Sequence, residues 1–294
     1  MTSRIPRFPV LYPILLSLAF LLVFLVHEMS ASWSVSYGTG SLFLLATVLG
    51  MECIVPLRLS WSVSDGQGLP DLFHLAGSLA GGRAGHIAIE AVGVVFGLHL
   101  AQPSVSGLPF GLRLAIGLLL AEATRYFQHR LEHSLPLLWR FHRLHHDSMR
   151  LSVIKSGRGH VLMFLLQSLL TAGPILLLGL GNDVLAWCMC AQGFVGILGH
   201  ANVDLPVGPL GFLIPGPDAH RLHHARIAKG EPAVNLGAAT LIFDHLYGTY
   251  RSPAHGLSVS EVGVDESTPQ DLLGQLLLRT PRTTASPVAN SVFE

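Results

Sequence analysis

Two histidines four residues apart, His129 and His133, open a run in which His142, His145 and His146 follow; the pattern HRLHH then returns at His220, His223 and His224. Residues three or four apart share one face of a helix, so each cluster offers its imidazoles on one side. With the single histidines His160 and His200 there are ten candidate ligands, whereas one zinc ion is satisfied by three or four. Two metal ions with four or five nitrogen ligands each fit that number. Imidazole suits iron, copper, nickel and zinc alike. The carboxylate ligands and Glu-x-x-His pairs of a soluble di-iron bundle are missing. A neutral all-histidine set leaves the positive charge on the metals, which favours an oxidising centre.

The elements that must position these rings lie largely in apolar sequence. Half of the 294 residues are hydrophobic and only 12% are charged, the balance of a membrane protein. Eighteen basic and eighteen acidic side chains cancel, so no overall field points to nucleic acid. Cys53, Cys188 and Cys190 make no Cys-x-x-Cys pair and read as small core residues.

Apolar runs cover Val10 to Val26, Ser41 to Leu57, His86 to Ala101, Leu108 to Ala123, Val161 to Leu180 and Val184 to Leu198. The first is longer than a signal-peptide core and reads as a membrane helix. Ser60 to Gly85, polar and glycine-rich, reads as a loop with one surface helix. The fourth run leads without a break into His129 and His133. The last two form a helical hairpin around Gly181-Asn182-Asp183. The tail from about Ser252 lacks a periodic apolar face beyond Leu272 to Leu278 and reads as loosely ordered.

Six crossings place Arg4, Arg7, Arg58, Arg83 and the stretch from Arg125 to Lys155 on the cytoplasmic side, in agreement with the positive-inside rule. All ten candidate histidines then share that side, at helix ends or in loops, while His27 and His99 fall on the other. His74, His86, His245 and His255 read as ordinary surface or core residues. Arg125, Arg130, Arg140 and Arg143 read as snorkelling cations at the membrane boundary.

The three ordered clusters resemble the histidine boxes of the fatty acid hydroxylase / sterol desaturase superfamily. LWRFHRLHHD, Arg158-Gly-His160, HANVDLP from His200, Asn235-Leu-Gly237 and FDHLYGTY from Phe243 are similar to its other blocks, so the resemblance runs from Glu122 to Tyr250. It implies an all-α, polytopic membrane helical bundle of about four to six membrane helices. A cytoplasmic helical cap would hold a histidine-rich di-metal site. The expected units are 1–107, membrane helices and loop; 108–250, the catalytic domain; and 251–294, a cytoplasmic tail.

The resemblance also implies two iron ions on His129, His133, His142, His145, His146, His160, His200, His220, His223 and His224, replaceable by zinc on purification. Dioxygen would be the co-substrate for hydroxylation of a lipid or other hydrophobic substrate. No flavin, haem or dinucleotide signature is present, so electrons would come from cytochrome b5 or ferredoxin with its reductase. Glu122 is expected to accept an imidazole N–H, with Asn202, Asn235 and Asp244 as further supports. A desaturase of the same superfamily is the alternative, since both reactions begin by removing hydrogen from carbon. A membrane metal-binding or transport protein fits less well, because charge is scarce along the apolar runs.

Overall fold

A computed structural model of the chain describes residues 10–96, 105, 107–226, 232–253, 262–264 and 268–279. It is all-helical among these residues, with one isolated antiparallel bridge between Ala225 and Val262. Two long helices, α1 (Leu11–Ser30) and α2 (Trp33–Ile54), pack on each other, and α2 starts where Ser32 Oγ accepts the Val35 N–H. Both are long and apolar enough to cross a membrane. Leu18, Leu21, Phe24, Leu25 and Leu42 stay exposed along them, as a lipid-facing surface requires.

Over Ser60 to Gly85, where a loop with one surface helix is expected, helix α3 (Gly68–Val95) is instead a long packed helix that continues into the third apolar run. Its glycines are packing residues: Gly77, Gly81 and Gly85 recur every fourth position and face α6 (Val161–Leu177). A Cβ on Gly81 would stand 2.6 Å from the Val161 carbonyl oxygen, and one on Gly85 would stand 2.6 Å from Ser168 Cβ. Small residues at this spacing let two helix backbones approach closely. The expected third run, His86 to Ala101, is therefore the second half of one helix; its last residues, like His99 and Gln102, lie outside the described residues.

Helix α4 (Phe110–Ser134) carries the first histidine pair in its last turns, as expected. Pro136 sits at the first turn of α5 (Pro136–His146), where its missing N–H is harmless. After α6 the chain turns through Gly181 into α7 (Asn182–Gly199), the hairpin expected from its turn residues. Short helices α8 (Pro217–His223) and α9 (Ile242–Tyr247) follow. Cys188 and Cys190 are core residues of this bundle, whereas Cys53 is exposed.

The tail is more ordered than expected where it is described. Helix α10 (Leu272–Leu276) docks beside α3: Gln275 Nε2 donates to Gln67 Oε1 at 2.9 Å, and its Oε1 lies 2.9 Å from His74 Nε2. His74, expected to be unremarkable, is thus a buried holder of the tail.

Candidate metal centre

Four helices converge on the centre: α4 brings His129 and His133, α5 brings His142, His145 and His146, the end of α7 brings His200, and α8 brings His220, His223 and His224. Nine imidazoles sort into two groups. His129, His133, His142, His146 and His223 form one; His145, His200, His220 and His224 form the other, the candidate donor atoms in each lying within 4.8 Å of one another. The groups touch where the rings of His146 and His224 stack at 4.3 Å.

The ring orientation decides what these groups can do. His129 donates from Nδ1 to the Leu236 carbonyl at 2.8 Å, His223 to Val234 at 2.9 Å, His145 to Arg158 at 2.9 Å and His200 to Gly196 at 2.8 Å. A neutral imidazole that donates from Nδ1 keeps a bare lone pair on Nε2. Nε2 atoms crowd inward: those of His129 and His146 each lie 3.1 Å from His142 Nε2, while those of His200 and His224 lie 3.2 and 3.1 Å from His220 Nε2. A single Nε2–H on His142 or on His220 can point at only one of its two neighbours, so at least one lone pair in each trio faces another nitrogen with no proton between them, an arrangement that a cation would relieve. The buried Nε2 atoms of His133 and His223 have no hydrogen-bond partner. Burial, reinforced by neighbouring imidazoles, holds His142, His146, His220, His223 and His224 well below the ordinary imidazole pKa. They are neutral at pH 7 and ready to donate, so the residues present fit two cations.

His160, expected among the ligands, stands outside both groups. Its Nδ1 accepts the Leu162 N–H at 3.2 Å and caps α6, and its Nε2 donates to the Leu276 carbonyl at 3.0 Å. Both ring nitrogens are engaged, and His160 joins α6 to the tail.

The other expected supports act through backbone. Glu122 touches no imidazole; it accepts the N–H groups of Ala239 and Thr240 and the side-chain amide of Gln192, the shortest at 2.9 Å. Asp244 accepts from Leu236 N at 2.7 Å and Gly237 N at 2.8 Å. Asn235 adopts a left-handed φ of 52°, and its side chain bonds Ala219 and Arg251 backbone. Together they shape the loop whose Val234 and Leu236 carbonyls orient His223 and His129. Asn202 sits farther out, pairing both ways with the Arg58 backbone at 3.0 Å.

Glu132, between the first two histidines in sequence, was missed. It is 2% exposed, accepts from Arg125 at 3.1 Å and Gln128 at 2.8 Å, and lies 3.3 Å from His142 Nδ1. Arg125 is therefore a buried partner of Glu132 and not a snorkelling cation. The only sequence signal was its position: three residues after His129, a glutamate shares the ligand face. A buried lattice backs the other side, with Asp71 taking Arg158 and Lys155 at 2.6 Å each and Asp147 taking Arg158 at 3.1 Å. Arg158, whose carbonyl orients His145, is fixed by these bonds.

A cavity of about 1020 Å³ opens from the centre between α2, α3, α6 and α7. His129, His145, His200 and His220 close one end, Trp33 and Asn182 lie toward the other, and Leu42, Leu75, Leu79, Phe164, Leu185 and Met189 supply apolar wall. Helix α2 packs on α1 and α7, and α3 on α6. Among the described residues, α2 and α3 are not closely packed on one another.

The fatty acid hydroxylase family profile matches residues 114–249. Over 243 residues the chain is 32% identical to the ornithine lipid hydroxylase OlsE of Rhizobium tropici, covering 79% of this chain and 72% of that protein. It is 31% identical over 140 residues to the fatty acid hydroxylase vlmA of Lecanicillium sp, covering 42% of this chain and 38% of that protein. No solved structure matches.

Proposed function

This chain belongs to the fatty acid hydroxylase family, and from that premise we propose that it is a membrane oxygenase placing a hydroxyl group on a C–H bond of a lipid or lipid-like amphiphile. One observation carries the reading: four histidines belong to the two nitrogen-donor groups and at the same time close the end of the apolar cavity. A substrate lying in that cavity would present its carbon atoms to the centre. The names of the two relatives, an ornithine lipid hydroxylase and a fatty acid hydroxylase, support an acyl lipid.

In this reading His129, His133, His142, His146 and His223 hold one iron ion, and His145, His200, His220 and His224 hold the second. Bound iron supplies the dioxygen activation and one-electron chemistry that no side chain offers. The reaction balances when one oxygen atom of O2 enters the product, the other leaves as water, and two electrons and two protons arrive. Cytochrome b5 or ferredoxin with its reductase is the proposed electron source. The carbonyls of Leu236, Val234, Arg158 and Gly196 hold the rings with Nε2 inward. Leu75, Leu79 and Phe164 exclude water from the chain-binding wall, and the amphiphile enters from the bilayer between α2 and α3. We further propose six crossings with the histidines at their cytoplasmic ends, residues 108–250 as the catalytic unit and 251–294 as a cytoplasmic tail.

The test compares lipid extracts of a host with and without the protein, grown under labelled dioxygen. A lipid that gains one labelled oxygen, lost in His145→Ala and His223→Ala with membrane insertion intact, is the expected result. Loss of two hydrogens with label only in water would replace hydroxylation by desaturation. Full turnover in either histidine variant would overturn the two-ion reading.

A further inference from the structure

We propose that Arg83 is the anchor for an anionic group on the amphiphile, a specificity residue at the lip of the cavity; the inference rests on reading that cavity as the substrate chamber. Among the described residues two guanidinium groups line the cavity, Arg83 and Arg125, and no aspartate or glutamate does. Arg125 is already neutralised by Glu132 at 3.1 Å. The nearby Glu90 sits with His86 at 3.0 Å, and Arg83 has no carboxylate partner among the described residues. A chamber with apolar walls, one uncompensated cation and no acid selects an anion carried on an apolar chain. Guanidinium matches carboxylate and phosphate oxygens in its donor geometry.

The position of Arg83 along α3 determines what it can do. Gly81 packs against the Val161 carbonyl at the first residue of α6, next to His160. Gly82, the residue before Arg83, accepts the Ser168 hydroxyl at 2.7 Å, and Gly85 packs against Leu165 and Ser168, so Arg83 stands level with the second turn of α6. It therefore lines the cavity between the histidine end and the end at Trp33 and Asn182. An anion held there leaves the apolar chain to run along the cavity, so that a carbon farther along the chain meets the histidine end. Arg83 is exposed, and among the described residues α2 and α3 are not closely packed on one another. Arg83 thus meets a head group as it enters from the bilayer. Ser78, His86 and Gln167, on the α3 and α6 walls, supply hydrogen-bonding groups for ester or amide atoms close to the head.

The experiment measures binding and not turnover. Tritiated oleate is bound to the full-length protein in nanodiscs of zwitterionic lipid, with empty nanodiscs as background, and competed by oleate, oleyl alcohol or acetate. A charge-assisted hydrogen bond makes oleate roughly tenfold or more stronger a competitor than the alcohol of the same chain. Arg83→Gln should erase that preference, Arg83→Lys should keep part of it, and acetate should not compete. Equal competition by oleate and oleyl alcohol in the wild type overturns the proposal, whatever the variants do; so does an Arg83→Gln protein that keeps the preference. Displacement of oleate by acetate would also overturn it, because it would describe an anion site independent of the chain. Since no oxygen or electron donor is present, failure here leaves hydroxylation standing, and failure of hydroxylation leaves this result standing.

Discussion

Asp244 reaches His129 through a single residue: its carboxylate accepts the Leu236 N–H at 2.7 Å, and the Leu236 carbonyl accepts the His129 Nδ1–H at 2.8 Å. The same carboxylate takes the Gly237 N–H and the Thr249 hydroxyl, so one buried side chain sets the peptide plane that sets the ring.

Asp244→Ala strands two buried N–H groups, each costing about 1–3 kcal/mol. A lower melting temperature and a lower metal content per chain are expected together. Elemental analysis showing wild-type metal in a folded Asp244→Ala protein would separate the loop from the ring.

Glu132→Gln keeps the shape of the side chain and removes its charge, leaving Arg125 as a buried cation beside five imidazoles. Losing one partner of a buried pair costs about 3–5 kcal/mol, and loss of a carboxylate beside a ligand weakens metal binding roughly 10–100-fold. Chelator competition on the purified protein reads that change. Unchanged metal retention would leave Glu132 a partner of Arg125 alone.

His160→Ala and His145→Ala should part company. The first frees the Leu276 carbonyl and should expose 268–279 to protease while metal content is kept; the second should lose metal. Loss of metal from His160→Ala with an intact tail would return His160 to the ligands.

Asp65 gives a pH signature away from the candidate metal centre. It pairs with Arg150 at 3.0 Å and Lys155 at 2.9 Å, and these cations hold its carboxyl well below the usual value against the opposing effect of burial. A folded pKa below the unfolded one stabilises above the unfolded value, near 4, and the benefit is lost as pH falls beneath it. The melting difference between wild type and Asp65→Asn should therefore be present at pH 7 and shrink below about pH 4. A difference independent of pH would mean that packing, and not charge, explains the loss.

Much of the centre was legible because it is local. Eight histidines stand at helical spacing in three boxes, and a box can be read within one or two turns. The helix carrying His129 and His133 and the hairpin around Asn182 were likewise visible, since apolar runs and turn residues are short-range signals. Helix α3 was misread for the opposite reason: glycines that look like a loop in sequence are there because α6 passes within contact of its backbone, 80 residues later in the chain. Glu122, expected to accept an imidazole N–H, instead accepts the backbone N–H groups of Ala239 and Thr240, over a hundred residues away, a contact that no local pattern carries.

What the sequence determined by itself is the three histidine boxes and the family, because box spacing and order are properties of single segments. Only the tertiary structure decided which histidine joins which group, that His160 joins neither, and that Glu132 lies buried against Arg125 and His142. Those outcomes depend on where α4, α5, α7 and α8 meet, and helix packing brings together residues whose separation along the chain carries no trace of the contact.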